Sequence, residues 1–221
     1  MTDETGINLD FPRAQRLGFD EAMFCAGKTA GQIAAILGRV AERGGSMLLT
    51  RLVPERLVEL PAKLRERLDY EALSGTAYFG NVAPPALSGR VAVVGAGTSD
   101  MSVCREAVRA LGYHGIKATE VYDVGVAGLW RLMERVPEIV RHPVVIAVAG
   151  MDAALVSVLG GLVPATQVSG LVCGSKTWMP GTRACPGLDP GPGMTRGESA
   201  AVVVMAAYIA YPAEQIMKRG G

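Results

Sequence analysis

Arg90-Val91-Ala92-Val93-Val94-Gly95-Ala96-Gly97-Thr98-Ser99-Asp100 is the stretch that decides the fold. A β-branched run stops at two glycines, and two hydroxyl residues with an acid then open a helix candidate, Ser99 to Leu111. A strand apolar at successive positions, rather than alternating ones, is buried on both faces. The same unit repeats downstream. Strand candidates run from Ile116 to Tyr122, Pro143 to Ala149 and Gln167 to Val172, with helix candidates Ala127 to Val140 and Asp152 to Leu162 between them. A strand starting roughly every 25 residues has the size of one βα unit, which predicts a parallel sheet with right-handed crossovers.

Upstream, Gly80 to Gly89 carries paired prolines between glycines and no period, so residues 81–89 read as a linker. It separates a small N-terminal domain, 1–80, from an α/β domain, 90–221. In the first, Ile33, Ile36, Leu37 and Val40 fall at helical spacing, giving a helix from Thr29 to Arg43 closed by Gly44-Gly45. Ser46 to Thr50 reads as a short strand and the Leu/Glu/Arg-rich 54–72 as a second helix. At the other end, Gly170 to Gly197 holds seven glycines and four prolines in 28 residues. That is a long functional loop or a lost element. A final helix is expected from Glu198 to Arg219.

Composition narrows the function. Of 221 residues, Lys+Arg number 22 and Asp+Glu 21, without the basic excess of a dedicated nucleic-acid binder. Hydrophobic residues at 49% are enough for a core, which excludes a disordered chain. Cys25, Cys104, Cys173 and Cys185 are scattered with no CxxC, neither a disulfide framework nor a zinc site, and suit a reducing cytosol. The start, Met1-Thr2-Asp3-Glu4, does not read as a signal peptide. The apolar run Ala200 to Tyr211 is too short for a bilayer, which needs about 20 residues. A soluble cytoplasmic protein without membrane or nucleic-acid partners is expected.

In parallel sheets ligands bind at the carboxyl ends of the strands, which selects three loops: Gly95–Asp100, Asp123–Gly128 and Gly150–Asp152. In the first, Gly97 lets a ligand approach the backbone, and Thr98 and Ser99 with helix amides would hold an anion. Capping of the helix by Ser99 or Asp100 serves equally. The second gathers Asp123, Gly125, Ala127 and Gly128, for close backbone contact or a plain turn. The third places Gly150 and Met151 before Asp152, where a carboxylate also gains from the helix dipole. Near the start, Asp10, Arg13 and Arg16 lie three apart, followed by Lys28. They suit phosphate or carboxylate binding, or a solvated salt-bridged face. Cys104 reads as core filler. Cys185, close to Arg183, is the candidate reactive thiol, because a neighbouring cation lowers a thiol pKa. His114 and His142 read as surface residues.

In order and spacing these segments resemble the LarB family, related to the phosphoribosyl-aminoimidazole carboxylase (PurE) family. The resemblance rests on Asp10-Phe11-Pro12-Arg13-Ala14-Gln15-Arg16-Leu17-Gly18, Gly27-Lys28-Thr29, Thr50-Arg51, Gly97-Thr98-Ser99-Asp100, Tyr122 to Gly128, Ala149-Gly150-Met151 and Ser157 to Leu162. It implies a three-layer, flavodoxin-like α/β domain of the PurE type, a small N-terminal α/β domain, and a homo-oligomer. It also implies an activity in nickel-pincer nucleotide cofactor biosynthesis. Nicotinic acid adenine dinucleotide is carboxylated on the pyridinium ring with CO2 as co-substrate, and its phosphoanhydride is hydrolysed with a divalent cation such as Mg²⁺. A cysteine thiolate adds to the ring, creating a carbon nucleophile for CO2, and later leaves. Carried onto this chain, Ser99 and Asp100 fall at the carboxylation site. Asp152 falls where the family has a glutamate for water activation, and Cys185 near the nucleophile. The chain departs from the pattern at Trp130, at Asp152-Ala153 and through Cys173 to Trp178. Those departures keep a second reading open: a nucleotide-binding relative with a regulatory or scaffold role.

Overall fold

The computed structural model describes residues 7–150 and 153–163, and the backbone of 167–173. Met151, Asp152, Cys185 and the helix expected at 198–219 lie outside the described residues.

The N-terminal part begins with a short helix, α1 (Arg13–Leu17), and a two-residue strand, β1 (Met23–Phe24). Helix α2 (Ala30–Glu42) forms where the spacing predicts it. Thr29 and Gln32 make a reciprocal capping box at its start, and Ile33, Ile36, Leu37 and Val40 are its buried stripe. Gly44, at φ +64°, turns the chain out of the helix into β2 (Met47–Thr50), a conformation that suits glycine.

The single helix expected over 54–72 is not formed. Pro54 starts α3 (Pro54–Val58) and Pro61 starts the one-turn α4 (Ala62–Arg65). The residue before a proline resists the helical region, so Pro61 separates the two turns. Leu68–Glu71 then forms β3, antiparallel to β4 (Thr76–Phe79), which pairs on its other side with β2. The first sheet thus has the order β1-β2-β4-β3. The next strand, β5 (Leu87–Gly95), begins three residues before the expected Arg90, because Leu87 and Ser88 already pair with Ile116 and Lys117.

From there the repeat holds: α5 (Met101–Tyr113), β6 (Ile116–Val121), α6 (Leu129–Ile139), β7 (Val144–Gly150), α7 (Ala154–Leu162) and β8 (Gln167–Cys173). All four strands are parallel, in the order β6-β5-β7-β8. Successive residues of β5 explain its unbroken apolar run. Val91 and Val93 face Cys104, Ala107, Ala110 and Leu111 of α5, while Ala92 and Val94 face Leu132 and Ile139 of α6 and Leu155 and Leu159 of α7. The result is a three-layer, flavodoxin-like α/β fold. Leu48 and Tyr78 of the first sheet pack into the α5 layer, so both sheets share that core.

Two arginines one turn apart on α5 tie the sheets together. Arg105 reaches Glu71 at the end of β3 at 2.5 Å and Glu120 on β6 at 2.7 Å. Arg109 bonds Asp69 and Thr76 while its guanidinium lies 3.8 Å from the centre of the Tyr78 ring. The two histidines are not surface residues, contrary to the sequence reading. His142 is buried, with Nε2 2.8 Å from Thr119 Oγ1. His114 is half-buried against Tyr113 and Phe19.

Candidate functional site

In this strand order the chain leaves β5 in one direction for β6 and later passes to its other side for β7. The carboxyl ends of β5 and β7 therefore flank a topological switch point, where open α/β sheets bind ligands. Gly95 and Gly150 end those two strands. The sequence reading selected the loops that follow them, and the switch point supplies the geometric reason.

The first loop is rigidly built. Ala96 N–H donates to Val148 O at 2.9 Å, which fastens the loop to β7. Thr98–Asp100 forms a 3-10 turn, and Asp100 Oδ2 accepts the Gly97 N–H at 2.9 Å. Asp100 is 4% exposed, whereas Thr98 and Ser99 are exposed. The acid holds the loop's shape and the two hydroxyls face outward. Ser99 makes no capping bond, and Asp100 does so only by reaching back to Gly97.

Glycine at 95 is a packing requirement. A Cβ there would stand 2.7 Å from Cys104 Sγ and 3.3 Å from the Tyr122 ring. Cys104 is fully buried and fills this space, as the sequence reading expected of it.

The second loop lies on the first. Val124 N–H donates to Gly95 O at 3.2 Å, and a Cβ on Gly125 would meet Ala96 O at 2.8 Å. Asp123 adopts φ +57° and takes a 2.7 Å bond from Arg131, so its carboxylate is already partnered. Gly128 is crowded by that same arginine. Ala127 is exposed beside it, and Trp130, the second residue of α6, is 65% exposed. In the third loop Ala153 has φ +53° and bonds back to Gly150 O at 3.0 Å.

The N-terminal candidates divide. Lys28 N–H donates to Cys25 O, and Cys25 N–H to Thr50 O, so Lys28 sits where β1 and β2 end. Burial pushes the Cys25 thiol up to about 12, which leaves it inert. Asp10 and Arg16 bond each other through both carboxylate oxygens, at 3.0 and 2.7 Å, and that pairing holds the Asp10 carboxyl below its ordinary range. Arg13 stacks on Phe19, which in turn touches His114 at the far end of α5. Thirteen residues of helix, about 20 Å, therefore separate this group from the Gly97–Asp100 loop.

One pair escaped the sequence reading. Arg51, just past β2, has φ +53°, and its Nε lies 3.0 Å from Oε2 of Glu106 on α5. Glu106 is 1% exposed and its Oε1 has no hydrogen-bond partner. Burial, opposed by Arg51, pushes its carboxyl up to about 7. The available signal was position. Glu106 falls between Val103 and Ala110 on the apolar stripe of α5, where a solvated acid does not belong.

Among the described residues no three His, Cys, Asp or Glu side chains gather as a metal cage. A Mg²⁺ bound mainly through a nucleotide's phosphates asks for only one or two carboxylates. Also among the described residues, no helix is long and apolar enough to cross a membrane.

Comparison with known proteins agrees with this architecture. Residues 2–81 match the family model described as the LarB/PurE-like N-terminal domain. An uncharacterized protein of Methanocaldococcus jannaschii is 30% identical over 170 residues, which cover 72% of this chain. The chain spans 65% of that relative's length.

Proposed function

With residues 2–81 belonging to the LarB/PurE-like family, we propose that the chain is a carboxylase acting on nicotinic acid adenine dinucleotide, which it also cleaves at the phosphoanhydride. One observation carries this reading: the exposed Thr98 and Ser99 stand on a loop fixed to the switch point of a parallel sheet, with the Gly125 loop pressed against it. Such a site offers exposed hydroxyls and close backbone approach, which suit a flat ring and its attached ribose phosphate.

In this proposal Ser99 and Asp100 border the pyridinium ring. The loops at Asp123–Gly128 and Gly150–Met151 hold the nucleotide, and Lys28 faces its phosphates. Cys185 supplies the thiolate. Its addition to the electron-poor ring places electron density on a ring carbon, that carbon attacks CO2, and loss of the ring proton with departure of the thiolate restores aromaticity. Asp152 orients the water that opens the phosphoanhydride. Asp10, Arg13 and Arg16 reach this nucleotide only from a second copy of the chain, given their place at the other end of α5.

Purified protein incubated with the dinucleotide, bicarbonate and Mg²⁺ is expected to release a carboxylated mononucleotide and AMP, detected by mass spectrometry. Cys185→Ser is expected to abolish carboxylation. Absence of both products beside an active control enzyme would overturn the proposal. Tight binding of the dinucleotide without turnover would select the regulatory or scaffold relative instead.

A further inference from the structure

The Arg51–Glu106 pair has the architecture of a binding residue and its support. Arg51 is reached from β2, whose carboxyl end lies beside the end of β1 and hence beside Lys28. Glu106 is reached from α5, five residues after Met101, where the helix emerges from the Gly97–Asp100 loop. Five residues are about 7–8 Å of axial rise, and helical side chains lean toward the N-terminus, so Glu106 leans toward the candidate site.

The guanidinium is held by one side only. Nε lies 3.0 Å from the buried Oε2 as an ion pair without hydrogen-bond alignment, no hydrogen bond from the terminal nitrogens is found among the described residues, and about a third of the side chain is exposed. The terminal nitrogens are thus left for something else. The backbone of Arg51 also sits in the left-handed region, at φ +53°, where a residue with a side chain is strained. A surface arginine that only balanced a buried acid would gain more from a two-pronged grip, as Arg16 has on Asp10.

We propose that Arg51 is an anion-binding residue at the junction of the first sheet with α5, that it takes a phosphate or pyrophosphate group together with Lys28, and that Glu106 is its positioning residue. Lys28 follows β1 where the ends of β1 and β2 lie side by side, and Glu106 ties Arg51 to the second turn of α5, while Asp100, the acid of the loop, is turned inward to Gly97. The inference rests on the proposed function only for the identity of the whole ligand, whose phosphoanhydride would lie at Arg51.

The test is calorimetry on the full chain with two probes, inorganic pyrophosphate and nicotinic acid adenine dinucleotide. Arg51→Gln is expected to weaken pyrophosphate binding at least tenfold, and Arg51→Lys, which keeps charge but loses the fork, by a few-fold. Arg51→Gln leaves a buried acid without its cation and can fail to fold. The double variant Arg51→Gln/Glu106→Gln replaces the pair by two amides and keeps the test open. It is expected to melt near the wild type and still fail to bind pyrophosphate. Wild-type pyrophosphate affinity in the folded double variant, or no pyrophosphate binding by the wild type, would overturn the inference. Pyrophosphate binding without dinucleotide binding would instead overturn the functional reading and leave Arg51 as an anion site.

Discussion

The α-carbon of Gly125 rests against the carbonyl of Ala96, so close that a single methyl group on it would stand 2.8 Å from the oxygen. The two loops at the head of the sheet are one unit, and neither can shift without the other. Gly125→Ala is therefore expected to lower stability by about 1–3 kcal/mol, the usual cost of overpacking against backbone. Thermal unfolding measures it. Gly128→Ala is the control. Its new methyl meets the Arg131 guanidinium, a side chain that can swing away, so the loss should stay below about 1 kcal/mol.

Glu106 makes stability depend on pH with a sign opposite to that of most carboxylates. Its carboxyl is pushed up to about 7, by burial above all, from 4.5 in the unfolded chain. The folded state then holds the extra proton between these values, so its contribution is full below about 4.5 and is lost as pH rises through about 7. The amount is on the order of 3 kcal/mol. Glu106→Gln should flatten this part of the profile, seen as a wild-type minus variant melting difference that falls from pH 5 to pH 8. A difference that rises over that range would contradict the assignment.

Arg105 is the bridge between the sheets, and Glu71, bonded to Arg105 and Ser74, is held below its ordinary pKa. Arg105→Met keeps the aliphatic stem but removes both ion pairs. It should cost about 1–2 kcal/mol in dilute buffer and visibly less in 1 M NaCl, where charge interactions between partly exposed groups are screened. Denaturant titrations at the two salt concentrations give the comparison.

Asp100 separates loop shape from chemistry. Asp100→Asn keeps an oxygen for the Gly97 N–H and should leave melting within about 0.5 kcal/mol of wild type, whereas Asp100→Ala orphans that donor and should cost about 1–3 kcal/mol. If the carboxylate also serves the proposed reaction, product formation falls at least tenfold in both. An Asp100→Asn enzyme at full rate would confine the acid to an architectural role.

The sheet was legible because its strands are regularly punctuated and its central strand is apolar from Val91 to Val94, with Ala92 and Val94 as buried as Val91 and Val93. The hairpin of β3 and β4 was not. Leu68-Asp69-Tyr70-Glu71 looks helical beside Leu64 and Arg65, and only pairing with Thr76–Phe79 makes it a strand. The glycine loops could be found from residue type and position, but the Arg51–Glu106 pair could not, since 55 positions separate its members and only docking of the two sheets joins them. The histidines were misplaced for a similar reason: Thr119 and Phe19, which cover them, are remote in sequence.

Gly95 has a consequence for how relatives of this chain are compared. Its place is dictated from behind, by the sulfur of Cys104 and the ring of Tyr122. A lineage that abandoned the chemistry would still be forbidden a side chain at that position while the helix and strand stayed as they are. Retention of this glycine across sequences would thus record inheritance of a scaffold and testify to nothing about turnover. Thr98 and Ser99, whose side chains no neighbour constrains in this way, are the positions at which selection for a reaction, or its release, would leave a trace.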